Sequence, residues 1–130
     1  MNTSILPITA VMLCLVTTTA GAADFDGSKP LICATVEATE CLADLDCETG
    51  TPNEMGAPNF MRLDFAAKTV SGPKRTTKIL DLQKSPEQLT LRGSELGFAW
   101  TMVVDAEGAM TATMAGRSVA FVMFGSCTAF

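Results

Sequence analysis

From Met61 onward, apolar and polar side chains alternate one by one, and that alternation limits what the chain can fold into. In "GFAWTMVVD" (97–105), Phe98, Trp100, Met102 and Val104 share one face. Met61, Leu63 and Phe65 do the same in "MRLDF", as do Leu89 and Leu91 in "QLTLR". In "AMTATMA", Met110, Ala112 and Met114 oppose Thr111 and Thr113. Successive side chains of a strand point to opposite faces, so these runs specify half-buried β-strands. No stretch sustains a helical period, and only 41–57 has room for a single helical turn. Pro73 in "SGPKR" and Pro86 in "KSPEQ" mark loops, because proline supplies no donor to a strand ladder. "DAEG" (105–108) and Gly116-Arg117 are hairpin signals, the second suited to a type II′ turn with Gly first.

About seven to eight strands with short connections predict an all-β antiparallel meander. Such a sheet must hide its edges, either as a closed small barrel of calycin-like form or as a β-sandwich. "FMRLDFAAKTV" and "WTMVVDAEGAM" share a hairpin design, each with an Asp placed to bond its own turn. "SVAFVMFG" breaks the alternation: Val119, Phe121 and Met123 occupy one face and Ala120, Val122 and Phe124 the other. A strand apolar on both faces needs a cover. The segment 41–58, a second copy of the chain or an apolar ligand would each provide one.

The start of the chain reads as an address. No charged side chain precedes Asp24, and the apolar centre Ile8 to Val16 is shorter than the roughly 20 residues a membrane span needs. Ala20 and Ala22 fit the A-x-A pattern of a secretory signal peptide, although no Lys or Arg follows Met1. We expect a signal peptide over 1–22, cut after Ala22 or, as the next choice, Ala23. A retained N-terminal anchor is the alternative. A single all-β domain over 23–130 follows, with no stable membrane span after cleavage and a periplasmic or extracellular location.

Of five cysteines, Cys14 leaves with that peptide, and Cys33, Cys41, Cys47 and Cys127 stay. An even number in a small exported chain signals disulfides. The intervals of seven, five and seventy-nine residues offer no C-x-x-C pair, and the chain has no histidine. Zinc and thiol-redox sites want such pairs. Cys33 opens the strand-like run "LICATVEA" and Cys127 closes "SVAFVMFGSC". If the first and last strands lie antiparallel, these two meet and tie the chain ends together, which leaves Cys41–Cys47 to close "CLADLDC". Asp44, Asp46 and Glu48 alternate beside that loop, but an EF-hand needs Gly and Glu where Thr49 and Met55 stand. No metal and no cofactor is expected.

The net charge of −5 argues against nucleic acid, whose phosphates require a basic footprint. Eight acids and one base precede residue 57, whereas Arg62 to Arg92 holds seven bases and three acids. The acids Asp44, Asp46 and Glu48 are therefore the residues to examine for a cationic partner. Without histidine there is no Ser-His-Asp or Cys-His arrangement, and no enzyme is expected.

The segments "ICATVEATEC…C…GTP" (32–52), "FMRLDFAAKT" (60–69) and "FVMFGSCT" (121–128) resemble a family of small exported proteobacterial proteins that carry no assigned activity. The resemblance covers most of the chain after residue 22 and includes all four retained cysteines. It implies a bacterial, exported protein and transfers no catalytic or binding residue. The expected function is that of a non-catalytic exported binding or interaction module of unknown ligand. A small apolar molecule or a protein partner would be its target. Alternatives are an inhibitor or docking protein that engages a cationic partner through the acidic 37–54 segment, and a structural envelope protein, for which a homodimer through residues 118–125 is one form.

Overall fold

The computed structural model describes residues 24–130. The expected signal peptide, its cleavage at Ala22 or Ala23, and Cys14 lie outside the described residues. Ten strands follow: β1 (Leu31–Leu42), β2 (Cys47–Gly50), β3 (Phe60–Asp64), β4 (Thr69–Ser71), β5 (Thr76–Lys78), β6 (Asp81–Lys84), β7 (Gln88–Glu95), β8 (Phe98–Asp105), β9 (Ala109–Ala115) and β10 (Val119–Ala129). They form one curled antiparallel sheet in the order β5-β4-β3-β1-β10-β9-β8-β7-β6, with β2 added beside β1. Among the described residues there is no helix, so none is long and apolar enough to cross a membrane.

The all-β antiparallel expectation holds, and every alternating run named above turns the expected residues inward. The strands form one curled half-barrel sheet, its path running from β5 at one end to β6 at the other, with β10 paired to β1 on one side and β9 on the other along most of its length. The strand number exceeds the expected seven to eight because β2 is a short addition and because Ile79-Leu80 interrupt one run, giving β5 and β6. These two strands end the sheet path yet are consecutive in the chain. Ile79 N donates to Lys68 O at 2.9 Å on the β4 side, and Leu80 N donates to Arg92 O at 2.8 Å on the β7 side. The bend thus changes partners within two residues, with Ile79 buried in the core.

A bulge in β1 keeps its apolar face inward. Thr35 pairs with Gly125 and Glu37 with Phe124, so Val36 is an extra residue. Before it the buried positions are Leu31, Cys33 and Thr35; after it the inward position is Ala38. An extra residue in one strand shifts the face on which later side chains fall. Gly125 permits the close approach here, because a Cβ at that position would collide with Ala34 O.

The two ends of the curled sheet differ in kind. At the lower end, where β1 begins and β10 finishes, Leu31, Leu63, Leu89, Leu91, Val104 and the Cys33–Cys127 disulfide form a filled core. Phe25 packs against that core from below, over Gly108, whose φ of 89° and lack of a side chain both suit the contact. The Asp residues flagged in the repeated hairpin design bond their turns as expected. Asp64 Oδ1 accepts from Ala67 N at 2.9 Å, and Asp105 Oδ1 accepts from Glu107 N at 3.0 Å and Ala109 N at 2.8 Å.

At the upper end the hairpins 72–75, 95–98 and 115–119 stand beside the segment 51–59. The type II′ expectation for Gly116-Arg117 is corrected. Gly116 N donates to Val119 O at 2.8 Å, so the tip is Arg117-Ser118, and Gly116 does not have the positive φ a II′ turn requires. Its missing side chain instead admits the Phe98 ring, whose Cε1 would lie 2.8 Å from a Cβ.

Candidate functional site

The upper half of the concave face is a groove of about 570 Å³. Met61 of β3, Met102 of β8, Met114 of β9 and Met123 of β10 line it, with Val70, Trp100 and Phe121. These are the inward positions of the alternating strands. Methionine suits such a wall because its unbranched, polarisable side chain adapts to what it meets. Trp100 lies over Gly93, where a Cβ would collide with the indole and come 2.6 Å from Lys78 O. The indole Nε1 is buried with no hydrogen-bond partner among the described residues.

Three local devices shape the mouth. In "ELGF", Glu95 pairs with Phe98, leaving Leu96-Gly97 as a two-residue turn with φ of 48° and 83°. Positive φ at both positions is the type I′ signature, ordinarily filled by Asn, Asp or Gly. Leucine there is conformationally unfavourable, and it is 75% exposed at the lip of the groove. In "GPKR", Gly72 N donates to Arg75 O at 2.8 Å and holds Pro73-Lys74 at the tip of the β4–β5 hairpin.

The third device is "TPNEMG" (51–56), a tight turn closed by one i→i+4 hydrogen bond rather than the single turn of helix for which the sequence left room. Thr51 N and Oγ1 both donate to Glu54 Oε2, at 2.8 and 2.7 Å. The Thr51 N–H is thus capped by Glu54 as in one half of a capping box, and Pro52, which has no N–H, adds no donor to the turn. Met55 N donates to Thr51 O at 3.1 Å, and Gly56 with φ of 68° ends the turn. The two Thr51 hydrogen bonds, that of the hydroxyl first, hold the Glu54 carboxyl below its ordinary value.

The cysteines pair as the strand geometry suggests. Cys33–Cys127 lies on the inner face and Cys41–Cys47 on the outer. The acids Asp44, Asp46 and Glu48 are exposed and stand apart from the groove. Asp46 and Glu48 border a smaller hollow with Glu40, Leu42 and Leu45. Asp44 sits at φ 67°, and Glu48 pairs directly with Glu40 across β1–β2. No three Asp, Glu, Cys or His side chains converge to hold a metal ion among the described residues. The outer face of β10 is not covered by 41–58, because β2 pairs with β1 instead; Phe124 is 46% exposed.

The sequence reasoning that named these acids missed Lys74, Arg75 and Leu96 at the mouth. The signal available was "LG" between two alternating runs, a hairpin tip occupied by an apolar residue. Among the described residues no charged side chain is buried. Asp26 is lowered by Ser28, and Lys29 is raised by its hydrogen bond and ion pair with Asp24; both are surface effects near the start of the domain. Compared with known protein families, curated proteins and solved structures, the chain matches none.

Proposed function

We propose that this chain is a non-catalytic exported binding module that holds a small apolar ligand in the concave face of a calycin-like barrel. The groove carries the reading: its volume of about 570 Å³ falls in the roughly 300–1,000 Å³ range of small-molecule pockets, and its wall is mostly apolar. The barrel reading draws support from the two ends of the sheet path, β5 and β6, which follow each other in the chain and are hydrogen-bonded to β4 and to β7 respectively. Export rests on the signal-peptide pattern, and the two disulfides are compatible with an oxidising compartment. The non-catalytic reading draws support from the absent histidine and from cysteines held in disulfides. Native mass spectrometry of freshly purified protein tests it. A co-purifying apolar molecule, lost when Met114 and Phe121 are replaced by Glu, is the expected result. Protein free of ligand that also takes up no added apolar compound contradicts it.

One observation favours a second reading, docking to a cationic partner. Leu45 is 68% exposed at the tip of the acidic loop, which the Cys41–Cys47 disulfide holds in place. Binding should then weaken with salt and with Asp44→Asn/Asp46→Asn, and salt-insensitive binding contradicts it.

A further inference from the structure

We infer that the occupant of the groove is a free single-chain amphiphile with an anionic head, its tail on the methionine wall and its head at Lys74 and Arg75. The inference rests on the groove-binding reading above and goes further by naming the ligand's chemistry.

The lining separates by polarity along its depth. Met61, Met102, Met114, Met123 and Trp100 lie within strands, whereas the charged lining residues stand at or beside turns: Lys74 and Arg75 in the β4–β5 turn and Glu95 at the last position of β7. A molecule matching this wall is apolar for most of its length and charged at one end. The sign of that end follows from the bases. Lys29, Arg62 and Arg92 each have a carboxylate within ion-pair distance; of the six bases that have none among the described residues, Lys74 and Arg75 are the two that line the groove. Two adjacent unpaired cations on a turn held by Pro73 and by the Gly72–Arg75 hydrogen bond favour an anion at the lip. Glu95 is the single acid lining the groove, so the local balance stays positive. Of the other acids at the upper end, Glu54 is held by Thr51 N and Oγ1 and does not line the groove, and Glu40, Asp46 and Glu48 border the separate hollow. The exposed Leu96 on its unfavourable turn extends the apolar wall outward, beside the place where the tail enters.

Trp100, the only tryptophan in the chain, lines the groove and reports occupancy through its emission. The test compares three compounds with the same tail, each below its micelle-forming concentration: dodecanoate, 1-dodecanol and dodecyltrimethylammonium. Dodecanoate is expected to bind about tenfold more tightly than the alcohol at low salt, and the cation most weakly. Lys74→Glu/Arg75→Glu should remove that advantage and leave 1-dodecanol binding unchanged, which also shows that the variant is folded. Equal binding of acid and alcohol, indifferent to the substitutions, overturns the anionic head and leaves the groove reading standing. Tightest binding of the cation overturns it too. No change in emission with any of the three overturns both readings. Cosedimentation with anionic vesicles without uptake of dodecanoate would overturn it by assigning the two bases to a membrane surface.

Discussion

Cys33 of β1 and Cys127 of β10 face each other directly, with Cα atoms 3.9 Å apart and a sequence separation of 94. The Cys127 N–H points the other way, donating to Gly108 O at 2.7 Å. The pair therefore occupies a non-hydrogen-bonded position of the ladder, where facing residues come closest. Cys41 and Cys47 also face each other directly, on the outer face, with a sequence separation of 6. Constraint of the unfolded chain grows with loop length. The long link should contribute about 4.7 kcal/mol and the short one roughly 2 kcal/mol. Urea denaturation of Cys33→Ala/Cys127→Ala and Cys41→Ala/Cys47→Ala compares them. A larger loss for the outer pair would contradict this ranking.

Gly93 makes room for Trp100. A Cβ there would collide with the indole and come 2.6 Å from Lys78 O, and the latter is backbone. Gly93→Ala is expected to destabilise by about 1–3 kcal/mol, as overpacked sites do. It should also shift Trp100 emission. A neutral substitution with unchanged emission would show that the wall yields.

Glu40 and Glu48 are directly opposite across β1 and β2. Like charges so placed oppose strand pairing, and opposite charges support it by roughly 0.2–1 kcal/mol. Glu48→Lys should therefore stabilise the protein at low salt, with the gain shrinking as salt rises. Stabilisation that is independent of salt would point to something other than charge.

The Thr51–Glu54 turn should respond to acid. Glu54 has a folded pKa below its ordinary value of 4.5, so the carboxylate stabilises the turn above that value. The contribution is lost as pH falls through the lower folded pKa. In an NMR titration the Thr51 amide signal should move with a midpoint below 4.5, and the movement should vanish in Glu54→Ala. A midpoint at or above the ordinary value would contradict the hydrogen bonds.

Much of the fold was legible in the alternation, because each strand buries one face and the inward residues declare themselves. Met61, Leu63, Trp100, Met102 and Met110 are all buried where the period places them. The disulfide pairing was legible for the same reason, since β1 and β10 had to be neighbours for the chain ends to meet. The bend between β5 and β6 was not, because Ile79-Leu80 read as two ordinary apolar residues and only their hydrogen-bond partners reveal the change of neighbour. Nor was the groove. Its wall uses the same methionines that would fill a packed core, and alternation reports which face they take but not the space left between them. The acids stood out in the sequence because charge is visible there, whereas Lys74 and Arg75 acquire meaning only when their turn is placed beside Leu96.

The most direct test of the groove is methyl NMR on protein with labelled methionine, titrated with an apolar or amphiphilic ligand. Met102, Met114 and Met123 line the groove, whereas Met110 is buried in the lower half beside Gly125 and serves as an internal control. The expected result is a saturable shift of the three groove methyls with Met110 nearly still. Shifts absent from all three, or no larger than that of Met110, would contradict a ligand in the concave face.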